Sequence, residues 1–147
     1  MDELDNMIKG LKAFEQNIGN AIKSAVEENQ RFIINLNAES QLFFQGENAD
    51  GKLIDSYRPY RPRTIQIKSQ KGQPTNRVTL KDTGAFHRSF FLVIGTDTFE
   101  IKANDIKTQA LITKYGNVIG LTDENMDMFA RMFIAPKIQG ELKKIAG

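Results

Sequence analysis

Apolar side chains recur at three- and four-residue steps through the first 46 residues, which is the spacing of one helix face. Gly10 and Gly19 each weaken a helix by about 1 kcal/mol relative to alanine, so either could kink or break it. The pattern predicts one long helix or two consecutive helices over residues 3–44, ending at Gly46. We expect its apolar stripe to pack on a sheet or on another subunit. The stripe comprises Leu4, Met7, Ile8, Leu11, Phe14, Ile18, Ile22, Ala25, Val26, Phe32, Ile33, Leu36, Leu42 and Phe43.

The pattern changes to strand periodicity in the second half of the chain. Residues 89–94 are mostly apolar, as in a buried strand, and residues 98–102 alternate between apolar and polar side chains. The Gly-Thr-Asp sequence at 95–97 lies between them and predicts the turn of a β-hairpin. Asp82 precedes this hairpin and is placed to cap a short helical turn at 85–88, because aspartate accepts hydrogen bonds from the free N–H groups of a helix start.

Helical spacing returns after the hairpin. Apolar residues from Ile106 to Tyr115 follow a helical period, and Gly116 is typical of a residue that ends a helix. Thr122 is a good N-cap for a further helix, and Pro136 predicts either a kink or the start of another segment. The order predicts an α+β fold with a long N-terminal helical segment, a small antiparallel sheet with a central hairpin, and C-terminal helices packed on it.

A chain of 147 residues is long enough to form one domain with its own core. We therefore expect a single domain over residues 1–147. Its predicted parts are an N-terminal helical part (1–46), an extended basic arm (47–76), and a part containing the sheet and the C-terminal helices (77–147).

The predicted arm differs from its surroundings because it holds three of the four prolines, which discourage a helix. Residues 64–68 alternate as a short strand would. The arm also carries a basic–aromatic cluster, in which arginines could hold phosphates while tyrosine rings stack on bases. The alternative is that the cluster packs on the acidic helix of a neighbouring subunit. The cluster consists of Tyr57, Arg58, Tyr60, Arg61 and Arg63.

The formal net charge is only +2, but it is unevenly distributed. Residues 1–50 carry four basic and nine acidic side chains, residues 52–88 carry nine basic and two acidic, and residues 89–147 carry seven of each. Such asymmetry favours contact between oppositely charged surfaces of neighbouring copies, or contact with nucleic acid.

Composition also excludes several kinds of site. With no cysteine, the chain has no disulfide, thiolate metal site or cysteine nucleophile, and its one histidine, His87, excludes sites that need two imidazoles from one chain. Residues 46–51 form a polar turn without the acidic spacing of a calcium loop. We expect neither a metal nor a cofactor.

No apolar run reaches the roughly 18–20 residues that cross a bilayer. The first ten residues are acidic and amphipathic, unlike the basic start and apolar centre of a signal peptide. The expectation is a soluble protein that is made in the cytoplasm and has no membrane contact.

One short motif indicates chemistry. Asp82, Thr83 and Gly84 match the signature of aspartic peptidases, whose mechanism needs two aspartates that share a proton and so, here, a symmetric dimer. Lys81, however, stands where a buried apolar strand residue is expected, and Phe86 replaces the usual polar continuation. The long predicted helices do not suit an all-β peptidase either. We therefore expect no catalytic residue and no enzyme, and a peptidase is the third alternative for function.

With these residues in view, the second half of the chain resembles the tail-completion and head–tail joining proteins of tailed bacteriophages, also called virion morphogenesis or minor tail proteins. That family joins a helical N-terminal part to a Leu-x-Asp-Thr-Gly segment, a serine-containing strand, a hairpin, a stretch with tyrosine and glycine, and a C-terminal helix near a proline. The resemblance covers about residues 76–147. The matching residues are Leu80, Asp82, Thr83, Gly84, Ser89, Tyr115, Gly116 and Pro136.

The resemblance implies an α+β protomer that assembles into a homo-oligomeric ring at the neck or the tail top of the virion, without catalytic residues. Its partners would be further copies and other phage neck, portal or tail proteins, with packaged DNA as a further contact. An acidic helical part and a basic arm would suit head-to-tail contacts, which close into rings. The other interpretation is a small nucleic-acid-binding protein that uses its basic–aromatic arm.

Overall fold

The computed structural model describes residues 2–96 and 98–146. The fold is α+β, as predicted, with a long N-terminal helix, one antiparallel hairpin and C-terminal helices. The elements are α1 (Glu3–Glu28), α2 (Gln30–Asn35), a first π-helical segment (Leu36–Gln45), a 3₁₀ turn (Ile54–Ser56), α3 (Pro62–Gln70), α4 (Ala85–Arg88), β1 (Phe90–Ile94), β2 (Phe99–Ala103), α5 (Thr108–Tyr115), α6 (Asp123–Phe129), a second π-helical segment (Ala130–Ile134) and α7 (Ala135–Ala146).

The N-terminal helical part begins at a side-chain cap. The carboxylate of Asp2 accepts a hydrogen bond from the Asp5 amide at 2.9 Å, which satisfies one of the free N–H groups of the first turn. The helix then continues through Gly10 and Gly19 without interruption. The break lies instead at Asn29, whose side chain donates to the carbonyl of Ala25 at 2.8 Å. Consecutive helices therefore form, but neither glycine separates them.

The first π-helical segment ties the N-terminal part to the C-terminal part. Its Asn37 and Gln41 are fully buried, although both are polar. The Asn37 amide group donates to the carbonyl of Val118 at 3.0 Å and accepts from the amide of Gly120 at 2.8 Å. Gln41 donates to the carbonyl of Gly120 at 2.8 Å and accepts from the amide of Thr122 at 3.0 Å. Two side chains thus fix the connection that precedes α6.

The hairpin forms as predicted, but β1 is not a buried strand, because Phe91 and Val93 on its second face are 38% and 42% exposed. β1 and β2 pair antiparallel, with Leu92 opposite Ile101, and this pair of strands is the whole sheet among the described residues. The amide of Gly95 donates to the carbonyl of Thr98 at 2.8 Å and closes the turn. Asp97, the third residue of the predicted turn, lies outside the described residues.

α5 ends and α6 begins where the sequence predicts, but α5 begins at Thr108, so Ile106, which the predicted helical period included, precedes the helix and is 96% exposed. α5 ends at Tyr115, and Gly116 follows with φ 80°, a conformation that glycine adopts without steric cost. The hydroxyl of Thr122 accepts from the amide of Asn125 at 3.1 Å and caps α6. Pro136 is the second residue of α7, which continues directly from the second π-helical segment, so the proline lies within a continuous helical stretch.

The predicted strand at 64–68 is wrong, since these residues belong to α3. Pro62 occupies the first turn of that helix, where its fixed φ favours a helix start. Lys68 is buried and contacts the loop before α4, whereas Ile65 is 39% exposed. A five-residue alternation was therefore misleading, because tertiary contact decides which face is buried. The predicted extended arm is in part a helix that packs on the protein.

One hydrophobic cluster joins residues from α1 to α6. Its aromatic centre is the ring of Phe129, which lies 6.5 Å from the ring of Phe32 and 5.3 Å from that of Phe133. The residues without measurable exposure in this cluster are Ile33, Leu42, Ile54, Val78, Val118 and Phe129.

Within residues 2–96 and 98–146, no helix combines the length and the apolar character needed to cross a membrane.

Candidate functional site

A cavity of about 390 Å³, here called the motif cavity, lies where the loop before α4 meets α3 and α5. Residues far apart in the sequence come together in its wall. Eight residues of this chain match the bacteriophage family named above, and we call them the phage-like pattern. Five of the eight line the motif cavity, together with Tyr60 from the basic–aromatic cluster. The pattern residues in the wall are Leu80, Asp82, Thr83, Gly84 and Tyr115.

The loop that forms the cavity wall contains a strained residue. Leu80 has φ 58°, a left-handed conformation that costs a non-glycine residue about 1–2 kcal/mol. The hydroxyl oxygen of Tyr60 accepts hydrogen bonds from the amides of Thr79 at 3.0 Å and Leu80 at 3.3 Å. Tyr60 therefore holds the loop in a shape that it would not adopt unaided.

α3 and the residues that follow it also support this loop, residues 79–84, which we call the motif loop. The ammonium group of Lys68 donates to the carbonyl of Lys81 at 2.9 Å. Lys71 pairs with the carboxylate of Asp82 at 2.8 Å, and the side-chain amide of Gln73 donates to the Asp82 carbonyl at 2.8 Å. Residues 68–73 of the predicted basic arm thus support the motif loop.

Lys68 is an unusual member of this group, because it is 7% exposed and has no carboxylate partner among the described residues. Besides the Lys81 carbonyl, its ammonium group has only the side-chain oxygen of Gln73 at 3.4 Å and the ring of Tyr60, whose centroid lies at 5.0 Å. A buried cation with neutral partners carries a desolvation cost that an anion could offset.

Asp82 does not cap α4, which corrects the prediction. Gly84, with φ 88°, stands at the N-cap, and the amide of Ala85 donates to the hydroxyl of Thr83 at 3.2 Å. Asp82 turns instead to Lys71, whose hydrogen bond lowers the pKa of that carboxyl. Its side chain is 48% exposed, and its ion-pair partner is the ammonium group of Lys71.

His87 is buried beside the same loop. Its Nε2 lies 2.9 Å from the carbonyl of Thr79, and burial lowers its pKa to about 4. The ring is therefore neutral at pH 7, and Nε2–H donates to the carbonyl. His87 packs against the rings of Phe86 and Phe90 at 5.9 and 6.1 Å, so its contacts are structural.

The remaining pattern residues lie away from the motif cavity. The hydroxyl of Ser89 donates to the carbonyl of Phe86 at 2.7 Å and so ends α4 before β1. Gly116 ends α5, and Pro136 lies in the first turn of α7. These three residues shape the backbone between elements.

The basic–aromatic cluster divides into an inner and an outer part. The hydroxyl of Tyr57 donates to the carbonyl of Tyr115 at 2.7 Å, and Tyr60 holds the motif loop, so both tyrosines anchor the segment to the protein. The three arginines are exposed, and none has a side-chain hydrogen bond or ion pair among the described residues. These are Arg58, Arg61 and Arg63.

A second surface lies at the far end of α1, where an open groove of about 560 Å³ runs between α1 and α7. We call it the helix groove, and its apolar lining includes Met7, Leu11, Phe14 and Ile145. Met7, Leu11 and Ile145 are 60%, 61% and 64% exposed. The apolar stripe predicted for α1 is therefore buried in its second half only.

Sequence patterns name the motif residues but not the residues that hold them. Lys68, Lys71 and Gln73 look like ordinary polar positions, and only Lys68 is buried. Among residues 2–96 and 98–146, no cluster of three or more metal-ligating side chains is present.

Comparison with protein-family models, with curated proteins and with solved structures gave no match to this chain.

Proposed function

We propose that this chain is a structural protein of a tailed-bacteriophage virion and forms a homo-oligomeric ring at the head–tail interface or the top of the tail. The observation that carries the proposal is the open helix groove, where Met7, Leu11 and Ile145 are 60%, 61% and 64% exposed although the chain has a well-formed core. A contiguous apolar surface of this kind marks a contact with another protein. The proposed location in a bacteriophage virion is based on the phage-like pattern around Leu80 and Gly84.

The charge distribution supports contacts between unlike surfaces. The first 50 residues carry a net charge of −5 and residues 52–88 one of +7. Unlike charges on different parts of one protomer favour a head-to-tail contact, and repeated head-to-tail contacts close into a ring when the rotation allows. In this proposal the protein acts through interfaces, with other neck, portal or tail proteins as its further partners.

Negative-stain microscopy of the purified protein tests this function. We expect closed rings of one size, and less assembly at high salt because salt screens exposed charges over about 10 Å at 0.1 M. Uniform small particles at every protein concentration and salt concentration would contradict the proposal.

Binding to nucleic acid is a second candidate function, favoured by the three exposed arginines at 58, 61 and 63. Deleting residues 57–63 would be an unsuitable test, because Tyr57 and Tyr60 hold the fold together. A triple substitution of the arginines by glutamine removes the charges and keeps both tyrosines.

The measurement is the retention of the protein on double-stranded DNA over a salt series. If the arginines hold phosphates, the triple variant lowers the slope of log K against log salt by about 3. The matched control replaces three exposed lysines elsewhere by glutamine, with the same change in net charge, and leaves the slope unchanged. Equal slopes for both variants would exclude a DNA contact by the cluster. The control positions are Lys102, Lys114 and Lys143.

A further inference from the structure

The helix groove lies beside an acidic helix start. Glu3 and Asp5 are exposed in the first turn of α1, and Leu4 between them is 63% exposed. The apolar lining at Met7 and Leu11 follows within two turns of the same helix. This end of the molecule therefore offers carboxylates next to an open apolar groove.

The rim of the motif cavity carries a projecting apolar side chain and lysines, where the helix groove has a depression and carboxylates. Ile106 is 96% exposed, the highest value among the exposed large hydrophobic side chains of the described residues. It stands between Asp105 and Lys107 in the cavity wall. The Asp105 carboxylate accepts from the amide of Lys107 at 3.0 Å, and the Asp82 carboxylate pairs with Lys71. Of the two acidic groups in the wall, Asp82 is therefore paired with a lysine, whereas Asp105 keeps its charge and bonds to a backbone amide.

Three lysines line the same cavity, namely Lys68, Lys81 and Lys107. None of them has an ion pair within the described part of the chain. Lys68 is buried as well, so it gains most from a carboxylate that enters the cavity from outside. An acidic first turn of a helix, accompanied by a groove for a projecting isoleucine, matches this surface in both charge and shape.

We infer that the two surfaces are the two halves of one contact between copies of this chain. Ile106 of one copy enters the helix groove of the next copy, and Glu3 and Asp5 of that next copy face the lysines of the motif cavity. The halves are different surfaces, so the contact is heterologous and repeats around a ring. The inference rests on the self-assembly proposed above and names the surfaces that make it.

The decisive experiment uses two variants, each of which disrupts one of the two surfaces of the contact. Ile106→Asp removes the projecting side chain, and Leu11→Lys places a charge in the groove. Both positions are more than half exposed, so each variant is expected to fold with the thermal stability of the parent. Native mass spectrometry of each variant alone is expected to show a monomer, because each lacks one of the two surfaces.

Mixing the two variants distinguishes a heterologous contact from any other kind. The Leu11→Lys chain keeps an intact Ile106, and the Ile106→Asp chain keeps an intact groove, so one good contact remains. A one-to-one dimer that grows no further is expected on mixing. The matched control is Ile65→Asp, a change at an exposed isoleucine outside both surfaces, and it is expected to assemble like the parent.

A charge exchange tests the polar part. Glu3→Lys with Asp5→Lys, or Lys81→Glu with Lys107→Glu, should each weaken assembly at least tenfold in concentration, and all four changes in one chain should restore it.

The outcomes separate this inference from the proposed function. If the parent is a monomer, both are overturned. If the parent forms rings and the Ile106→Asp and Leu11→Lys variants form them equally well, the ring stands and these surfaces are not its interface. If the variants fail to assemble but their mixture gives no dimer, the heterologous pairing is overturned.

Discussion

Replacing Gln41 by leucine tests how the two ends of the chain are joined. Gln41 is fully buried, and its side chain makes three hydrogen bonds. It donates to the carbonyl of Gly120 at 2.8 Å and accepts from the amide of Thr122 at 3.0 Å and from the side chain of Asn125 at 2.8 Å. Leucine is of similar size but makes no side-chain hydrogen bond, so all three partner groups lose their hydrogen bond to residue 41.

The expected cost follows from these partners. A buried polar group that loses its hydrogen bond costs about 1–3 kcal/mol, and more solvent-accessible groups cost less because water replaces the partner. The Thr122 bond is buried and the other two are partly buried, so we expect a loss of about 3 kcal/mol in the free energy of unfolding. For a chain of this length that corresponds to a fall in Tm of roughly 6–12 °C.

Urea denaturation followed by circular dichroism measures the loss, with differential scanning calorimetry for Tm. The matched control is Gln66→Leu on an exposed face of α3, expected to change stability by less than about 0.5 kcal/mol. If Gln41→Leu were no more destabilising than Gln66→Leu, the buried amide would not be what holds the C-terminal connection.

Three further predictions concern the motif loop. His87 has a pKa of about 4 in the folded state and 6.5 in the unfolded state. Its contribution to the free energy of unfolding is therefore complete above pH 6.5 and is lost as the pH falls toward 4, by about 3 kcal/mol in total. Urea titrations over this pH range should show a smaller loss for His87→Gln, and equal losses for the variant and the parent would refute the assignment. Gly84→Ala should destabilise by about 1–2 kcal/mol because φ is 88°, a left-handed conformation that alanine adopts only at a cost. Gly140→Ala, in open space within α7, should stabilise by up to about 1 kcal/mol, and thermal melts compare the two variants. Asp82→Asn should leave any peptidase activity of the preparation unchanged, and a pepstatin-sensitive cleavage that this variant abolishes would revive the aspartic-peptidase interpretation.

Local patterns predicted the elements whose signals are local. The hairpin follows from the apolar run at 89–94, the alternation at 98–102 and the glycine turn between them, and the start of α6 follows from the capping hydroxyl of Thr122. α3 was misread because alternation over five residues competed with Pro62, which occupies a favourable position in the first turn.

Contacts between distant residues were beyond these patterns. Asn37 and Gln41 interrupt an apolar helix face, and nothing nearby in the sequence shows that their partners lie about 80 residues later. Likewise, a resemblance to phage proteins pointed to Leu80 and Gly84, but it did not indicate that Lys68 is buried beneath them. The site was therefore predicted as a short motif, whereas its cavity depends on the packing of α3.

The basic–aromatic cluster shows the same limit. Five basic and aromatic residues within positions 57–63 suggested one surface, yet the hydroxyls of Tyr57 and Tyr60 bond to the rest of the protein, whereas the three arginines are exposed. Tyrosine carries both an apolar ring and a hydroxyl, so sequence alone does not decide between stacking on a ligand and anchoring a loop.

The proposed function requires that this chain assembles with itself into a ring. Native mass spectrometry of the purified protein at low ionic strength measures this most directly. We expect one closed stoichiometry for the parent protein and a monomer for Ile106→Asp. A parent protein that stays monomeric under these conditions would contradict the claim.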